Sequence, residues 1–327
     1  MLSLGVESTA HTFGIGICDE RGRVLANEKS VYVPKKGWGI IPQEAARHHE
    51  SVCFEVLERA LEKAGMKMEE VDIIAWSQGP GLPPCLHAGA RFVRKLSKDY
   101  KKPVVGVNHC IAHIEIGLLT TRARDPVVCY VSGGNTQIIA YVSERYRVFG
   151  ETIDIALGNA LDTFAREARL PMPGGAQIEA LAKRGTYVPL PYVVKGMDLS
   201  YTGIITEAIK KLKRGCKLED LCYSLQETCF AMLVEVTERA LAHTGKEEVL
   251  LTGGVAANKR LREMMETMCR ERNARFYAVD REFAGDNGAM IAWLGALVFS
   301  RAASKCIAKR VRPKPRWRTD EVEVTWK

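Results

Sequence analysis

The sequence predicts an internally duplicated α/β protein, on three observations. A unit of strand, polar turn, returning strand, turn and third strand is legible at residues 2–30 and again at 127–151. Short apolar runs end in polar or glycine-rich turns that open helices. Between them lie longer stretches with apolar residues at helical spacing.

Residues 2–6 read as a buried strand, Glu7-Ser8-Thr9 as a polar turn and residues 13–18 as the returning strand. After the turn Arg21-Gly22-Arg23, residues 24–26 resume extended structure. Pro42 opens a helix whose apolar stripe is Val52, Val56, Leu57, Ala60 and Leu61. A strand at 71–76 is closed by Gly79-Pro80-Gly81, and a helix rich in Arg and Lys follows. The next strand, 103–107, runs into Asn108 and His109.

The second round begins with a strand at 127–131, the turn Ser132-Gly133-Gly134-Asn135-Thr136, and strands at 137–142 and 146–151. Helices are predicted at 155–170, 176–184, 203–213 and 218–244. A strand at 248–252 ends in Gly253-Gly254-Val255-Ala256-Ala257-Asn258, and a helix starts at Lys259. A strand at 275–279 precedes an apolar helix opened by Asp286-Asn287-Gly288. Residues 322–326 are predicted as a short strand. The two lobes are expected to divide into residues 1–125 and 126–327.

Composition narrows the class. A chain of 327 residues that is 46% apolar can bury the cores of two domains, and 26% charged residues argue against disorder. No apolar run approaches a membrane span, and the start lacks a signal-type pattern. A soluble, cytoplasmic protein with no membrane association is expected. Ten cysteines without a C-x-x-C pair read as buried reduced thiols, and the spacing argues against a Cys-only zinc site. The net charge of +8 is compatible with a polyanionic partner. Lys305, Lys309, Arg310, Arg312, Lys314, Arg316 and Arg318 form a run free of acids, with Trp317 among them. Arg91, Arg94, Lys95, Lys98, Lys101 and Lys102 form a second cluster. Either fits a solvated face or a phosphate-binding surface.

Two features carry chemistry. The three turns after buried strands, at 7–9, 132–136 and 253–258, suit a nucleotide phosphate, since glycine admits close approach and amides and hydroxyls donate to it. The P-loop and dinucleotide fingerprints are both absent. His109 and His113, four residues apart, share a helix face and suit zinc or iron, though such a pair also occurs in plain packing. Tyr130 and Asp286 are the candidate oxygen ligands. Cys110 stands where a zinc protease of the HExxH type has its glutamate, which argues against peptide hydrolysis.

The motifs Ser77-Gln78-Gly79-Pro80-Gly81, Asn108-His109-Cys110-Ile111-Ala112-His113-Ile114-Glu115, Tyr130-Val131-Ser132-Gly133-Gly134-Asn135-Thr136-Gln137, Val194-Lys195-Gly196-Met197-Asp198, Gly253-Gly254-Val255-Ala256-Ala257-Asn258 and Asp286-Asn287-Gly288-Ala289-Met290 together resemble the Kae1/TsaD/Qri7 family. The resemblance runs from Leu4 to Trp326, and the closing residues 318–326 look like its archaeal and eukaryotic branch. It implies an actin-like ATPase (ASKHA) fold, two duplicated lobes with mixed sheets flanked by helices. It implies transfer of threonylcarbamoyl from threonylcarbamoyl-AMP to N6 of adenosine 37, in tRNAs reading codons that begin with A. The chain would be the catalytic subunit of the KEOPS complex, with Bud32 kinase, Pcc1 and Cgi121.

The implied metal, one iron or zinc ion, maps onto His109, His113, Tyr130 and Asp286. The AMP moiety, or ATP, maps onto Thr9, Tyr130, Val131, Ser132, Gly133, Gly134, Asn135, Asp162, Gly175, Glu179 and Asn258. No general base is assigned. Pro83 and His87 depart from the family pattern, as do Ala176, Ala284 and Ser200-Tyr201-Thr202-Gly203. The competing readings are a metal-dependent endopeptidase, for which Glu115 is the only nearby acid, a small-molecule kinase of the same fold, and a non-catalytic ATP-binding scaffold that regulates a partner kinase.

Overall fold

Two five-stranded sheets with one topology organise the chain, which a computed structural model describes over residues 1–35, 38–302, 306–308 and 310–327. Lys305 and Lys309 of the basic run lie outside the described residues.

The first sheet is built from β1 (Leu2–Glu7), β2 (Thr12–Asp19), β3 (Val24–Val31), β4 (Ile73–Gly79) and β5 (Val104–Asn108), in the order β3-β2-β1-β4-β5. β1, β2 and β3 form an antiparallel meander, whereas β4 and β5 run parallel to β1. The parallel strands need crossovers, and helices supply them. α1 (Pro42–Ala64) leads into β4, α2 (Pro83–Tyr100) joins β4 to β5, and α3 (His109–Thr120) follows β5 without a loop. The apolar stripe of α1 is buried at Val56, Leu57 and Ala60, and the helix stops at Gly65 in the left-handed region. Pro83 is the first residue of α2, where its missing N–H costs no helical bond. The departure from the family pattern there is therefore compatible with a regular helix start.

The second sheet repeats this plan with β6 (Val127–Val131), β7 (Thr136–Val142), β8 (Arg145–Glu151), β11 (Glu248–Thr252) and β12 (Arg275–Ala278), in the order β12-β11-β6-β7-β8. Its first three strands are again an antiparallel meander, and the other two are again parallel to the first. Between β8 and β11 lie α4 (Leu157–Glu167), α5 (Gly174–Ala182), a hairpin of β9 (Val194–Lys195) and β10 (Asp198–Leu199), α6 (Thr202–Lys213) and α7 (Leu218–Thr244). α8 (Lys259–Glu271) crosses from β11 to β12, and the short α9 (Arg281–Ala284) follows. The core pairs strand residues such as Val127, Cys129 and Leu251 with Leu225, Phe230 and Leu233 of α7.

The expected division at 125/126 needs correction. One compact unit holds Met1–Leu119 together with Asp286–Lys327, and the other holds Thr120–Gly285. The last helix, α10 (Gly288–Ala302), returns to the first sheet because that sheet offers glycine where backbones meet. A Cβ on Gly5 would overlap the amide of Ala292, and one on Gly16 the amide of Ala289. Residues 322–326 form no strand either. The extended chain there is held through Trp326, whose indole N–H donates to Glu115 Oε1 at 2.8 Å. All ten cysteines are free, and burial raises the buried thiols of Cys85, Cys129, Cys222 and Cys229 to about 12, so they stay protonated.

Candidate metal centre and glycine cradle

The last residue of β5 shapes the first unit's site. Asn108 caps α3, its Oδ1 accepting from the amides of Cys110 at 2.9 Å and Ile111 at 3.2 Å. That cap sets the first turn and points the next residue, His109, and its i+4 neighbour His113 to one side, ring centroids 4.8 Å apart. Asn287 does the same for α10, accepting from the Met290 amide at 2.9 Å, and the residue before it is Asp286. Two asparagine caps thus present the three groups.

His109 Nε2 lies 3.5 Å and His113 Nε2 3.3 Å from the same oxygen, Asp286 Oδ1. One ligand atom from each residue falls within a 4.8 Å cluster. Bonds of about 2.0–2.2 Å to one ion separate neighbouring ligand atoms by roughly 3–3.5 Å. Two imidazoles and a carboxylate are also the donor set of zinc and of non-haem iron. The two His–Asp distances and the donor chemistry fit a divalent transition metal, which a small inward shift of the imidazoles would accommodate.

Behind His109 stands Glu7, the last residue of β1, with Oε2 2.9 Å from Nδ1. Glu7 Oε1 accepts from the Thr9 amide at 2.7 Å and from its hydroxyl. A carboxylate on the far nitrogen orients a ligating imidazole and raises its basicity. Burial disfavours the imidazolium of His109, but the charge and hydrogen bond of Glu7, joined by Asp286, prevail and raise its pKa to about 9. Burial pushes His113 below its ordinary value, with Asp286 offsetting only part. Burial alone would raise Asp286; the His113 hydrogen bond and the His109 charge hold it well below the usual carboxylate range.

In the second unit, three turns meet at the carboxyl ends of β6 and β11, which are neighbours in the sheet. Ser132 Oγ accepts from the amides of Gly134 and Asn135, at 3.3 and 3.0 Å, and shapes the turn after β6. Gly253 (φ +95°) starts the turn after β11, and a Cβ there would overlap the Val131 carbonyl. At Gly158, in the first turn of α4, a Cβ would lie 2.6 Å from the Ser132 carbonyl. Gly133, Gly134 and Gly254 have nothing within 4 Å of such a Cβ, so the cradle is open on that side. Asp162 Oδ1 accepts from the Gly174 amide at 2.9 Å, at the start of α5, beside Gly175. Glu179 Oε1 accepts from the Lys259 amide at 2.9 Å, and Asn258 caps α8 through the Leu261 amide at 3.1 Å. These contacts fix the N-termini of α5 and α8, whose first amides they engage.

Among the predicted site residues, His109, His113, Asp286 and Thr9 gather in the first unit. Ser132, Gly133, Gly134, Asn135, Asp162, Gly175, Glu179 and Asn258 belong to the second. Tyr130 and Val131 lie at the buried end of β6, also in the second unit. Sequence reasoning missed Glu7 as the partner of His109; the signal was an acid closing an apolar strand, which needs a counter-charge when buried. Glu115, the acid that a protease reading would require, is buried and accepts from Trp326.

The chain matches the profile of a family described as TsaD: tRNA N6-adenosine threonylcarbamoyltransferase, over residues 23–293. It is 56% identical over 328 residues to the tRNA N6-adenosine threonylcarbamoyltransferase of Thermococcus sibiricus, covering 100% of both chains. It is 55% identical over 327 residues to a probable bifunctional tRNA threonylcarbamoyladenosine biosynthesis protein of Methanocaldococcus jannaschii, spanning 100% of this chain and 60% of that one. Among solved structures, T. kodakarensis HypF is similar with a TM-score of 0.62 at 16% identity, over 91% of this chain and 48% of that chain. At that identity the likeness is one of fold, and the fold is that of the actin-like ATPases.

Proposed function

The chain belongs to the TsaD family of tRNA N6-adenosine threonylcarbamoyltransferases, and from that premise we propose how its two site regions divide the reaction. The activity is acyl transfer: the threonylcarbamoyl group passes from threonylcarbamoyl-AMP to N6 of adenosine 37 in tRNAs reading codons that begin with A, and AMP leaves. The observation that carries the division is the cluster of His109, His113 and Asp286, with Glu7 behind it.

His109, His113 and Asp286 would hold one iron or zinc ion, with Tyr130 as a further oxygen ligand. Such an ion supplies Lewis acidity toward phosphate or carbonyl oxygens of the mixed anhydride. Glu7 keeps the His109 ring in place and receives the Nδ1 proton's hydrogen bond. The AMP moiety sits in the glycine cradle, its phosphate against the exposed turn Ser132–Asn135 and Gly253-Gly254. Asp162, Gly175, Glu179 and Asn258 frame its nucleoside, and Thr9 is proposed as a further substrate contact. N6 of adenosine is a weak nucleophile because its lone pair is delocalised, so the rate must come from donor activation and orientation. The target base is displayed from the anticodon loop, the usual setting of sequence-specific RNA reading.

Bud32, Pcc1 and Cgi121 are the proposed partners, as KEOPS subunits, and the cytoplasm is the proposed compartment. Among the described residues no helix is long and apolar enough to cross a membrane. The test is reconstitution with partner subunits, tRNA, ATP, bicarbonate, labelled threonine and an adenylate-forming enzyme. Label is expected in tRNA and lost when His109 and His113 are both replaced by alanine. No incorporation with partners shown to be active would overturn the reading.

A further inference from the structure

The two basic clusters differ in what their charges do. On α2, Arg91 pairs with Glu50, Lys95 pairs with Asp99 at 2.9 Å and Arg94 Nε donates to the Ala90 carbonyl at 3.0 Å, and just beyond the helix Lys102 Nζ donates to the Glu69 carbonyl at 2.6 Å. Four of this cluster's six cations are thus engaged by the protein itself. The segment 310–318 is built otherwise. Arg310, Arg312, Lys314, Arg316 and Arg318 are all exposed, and the intervening Val311, Pro313, Pro315 and Trp317 are all partly buried. Every second side chain is a cation facing out. Arg310, Arg312 and Arg316 make no ion pair among the described residues, while Lys314 Nζ lies over the Trp317 ring at 4.4 Å and Arg318 pairs with Asp320 at 3.0 Å.

The backbone under these cations is pinned. Gln78 Nε2 donates to the Arg312 carbonyl at 2.7 Å, and the Lys314 amide donates to the Gln78 carbonyl at 2.7 Å. The Gly81 amide donates to the Pro315 carbonyl at 3.2 Å. Asn108 Nδ2 donates to the Trp317 carbonyl at 3.2 Å, and Asn108 is the cap that presents His109. The row is thus fixed at the carboxyl ends of β4 and β5, beside the histidine helix. Prolines 313 and 315 stiffen it further. A rigid row of outward cations suits a polyanion whose charges also recur along a strand, and arginine outnumbers lysine four to one, as bidentate phosphate binding favours.

We propose that the strap 310–318 is a phosphate-binding rail that holds the tRNA backbone next to the histidine helix. The proposal rests on the tRNA-modifying reading above, but its test reads binding and does not require transfer. Titrate unmodified tRNA transcript with the full chain over a series of salt concentrations. Arg312→Gln with Arg316→Gln should weaken binding about tenfold and lower the slope of log K against log salt by about 1.4–1.8. The charge-conserving pair Arg312→Lys with Arg316→Lys should keep the slope, which guards against a folding artefact. Arg91→Gln with Lys95→Gln on α2 should stay within about twofold of wild type, because those charges are already paired. Equal losses from the two clusters, an unchanged slope in the strap variant, or no tRNA binding by the wild-type chain would each overturn the rail. Normal tRNA binding through the strap without transfer in the reconstituted system would sink the transferase reading alone.

Discussion

The two units carry the same five-strand plan, yet they close the first strand in opposite ways. β1 ends in Glu7, Ser8 and Thr9, all buried, with the carboxylate spent on Thr9 and His109. β6 leads into Ser132 to Asn135, where Gly133 and Gly134 are exposed with open space around them, and the amides of Ser132, Gly134 and Asn135 bond within the turn. The last strands differ as well: β5 runs directly into the histidine helix, whereas β12 leads to the short α9. One scaffold thus supports a closed, ionised site in one copy and an exposed glycine turn in the other. Topology was duplicated; the chemistry resides in the turns and helix starts at the strand ends.

The hardest test of this contrast is Asp286→Ala. It removes the oxygen that both imidazoles face, and transfer should fall by about 10³-fold, several kcal/mol of lost stabilisation. Bound metal, read by elemental analysis, should vanish, while AMP affinity should change less than about threefold if the cradle works alone. Full activity would break the division of labour.

A glycine pair sharpens the other side. Gly253→Ala forces a Cβ into the Val131 carbonyl at a positive φ, and urea unfolding should show a loss of about 2–4 kcal/mol. Gly133→Ala meets open space, so stability should move by less than about 0.5 kcal/mol while AMP binding weakens. Equal tolerance at both positions would refute the close approach.

Acid should separate the units by pH window. Burial holds His49 of the first unit neutral, with a pKa lowered to about 4, the Ala10 carbonyl at 3.0 Å offsetting only part. The unfolded imidazole titrates near 6.5, so the neutral native form contributes fully above that value. Roughly 2–3 kcal/mol is then lost as pH falls from about 6.5 toward 4. Hydrogen exchange at pH 4.5 should show the first unit opening earlier, and His49→Phe should flatten the trend.

A modest effect is expected from Asp154 of the second unit. Its carboxylate accepts from the Ser200 hydroxyl at 2.6 Å and from the amides of Ile155, Tyr201 and Thr202 at 2.6, 3.0 and 3.0 Å. Burial would raise its pKa, but these hydrogen bonds hold it well below the usual range. The contribution is present above the unfolded value of about 3.9 and is lost as pH falls below it. Asp154→Ala should cost about 1 kcal/mol at pH 7, as the loss of a helix-start cap does. A measurable dependence of that cost on pH between 5 and 8 would contradict the assignment.

Much of this was readable from local pattern. The meanders, the helix carrying His109 and His113 and the turns at 132–136 and 253–258 follow from periods of two and 3.6 and from glycine placement. The expected strand at 322–326 failed because alternation marks an extended chain, and an extended chain needs a neighbouring edge to become a strand. The partner of Trp326 is instead a single buried carboxylate, Glu115, 211 residues away. The strap shows the same limit: its cation–apolar alternation stands in the sequence, but either parity could have faced inward.

The sequence by itself determined the duplicated plan, the shared face of His109 and His113, and the family to which the chain belongs, because each depends on residues close in the chain or on a pattern extending along all of it. Only the tertiary structure decided that Glu7 stands behind His109, 102 residues on, that Asp286 returns with α10 to the first sheet, and that the even-numbered cations of 310–318 face outward. Those outcomes depend on which backbones can approach one another and which buried charges find partners, and no spacing along the chain encodes either.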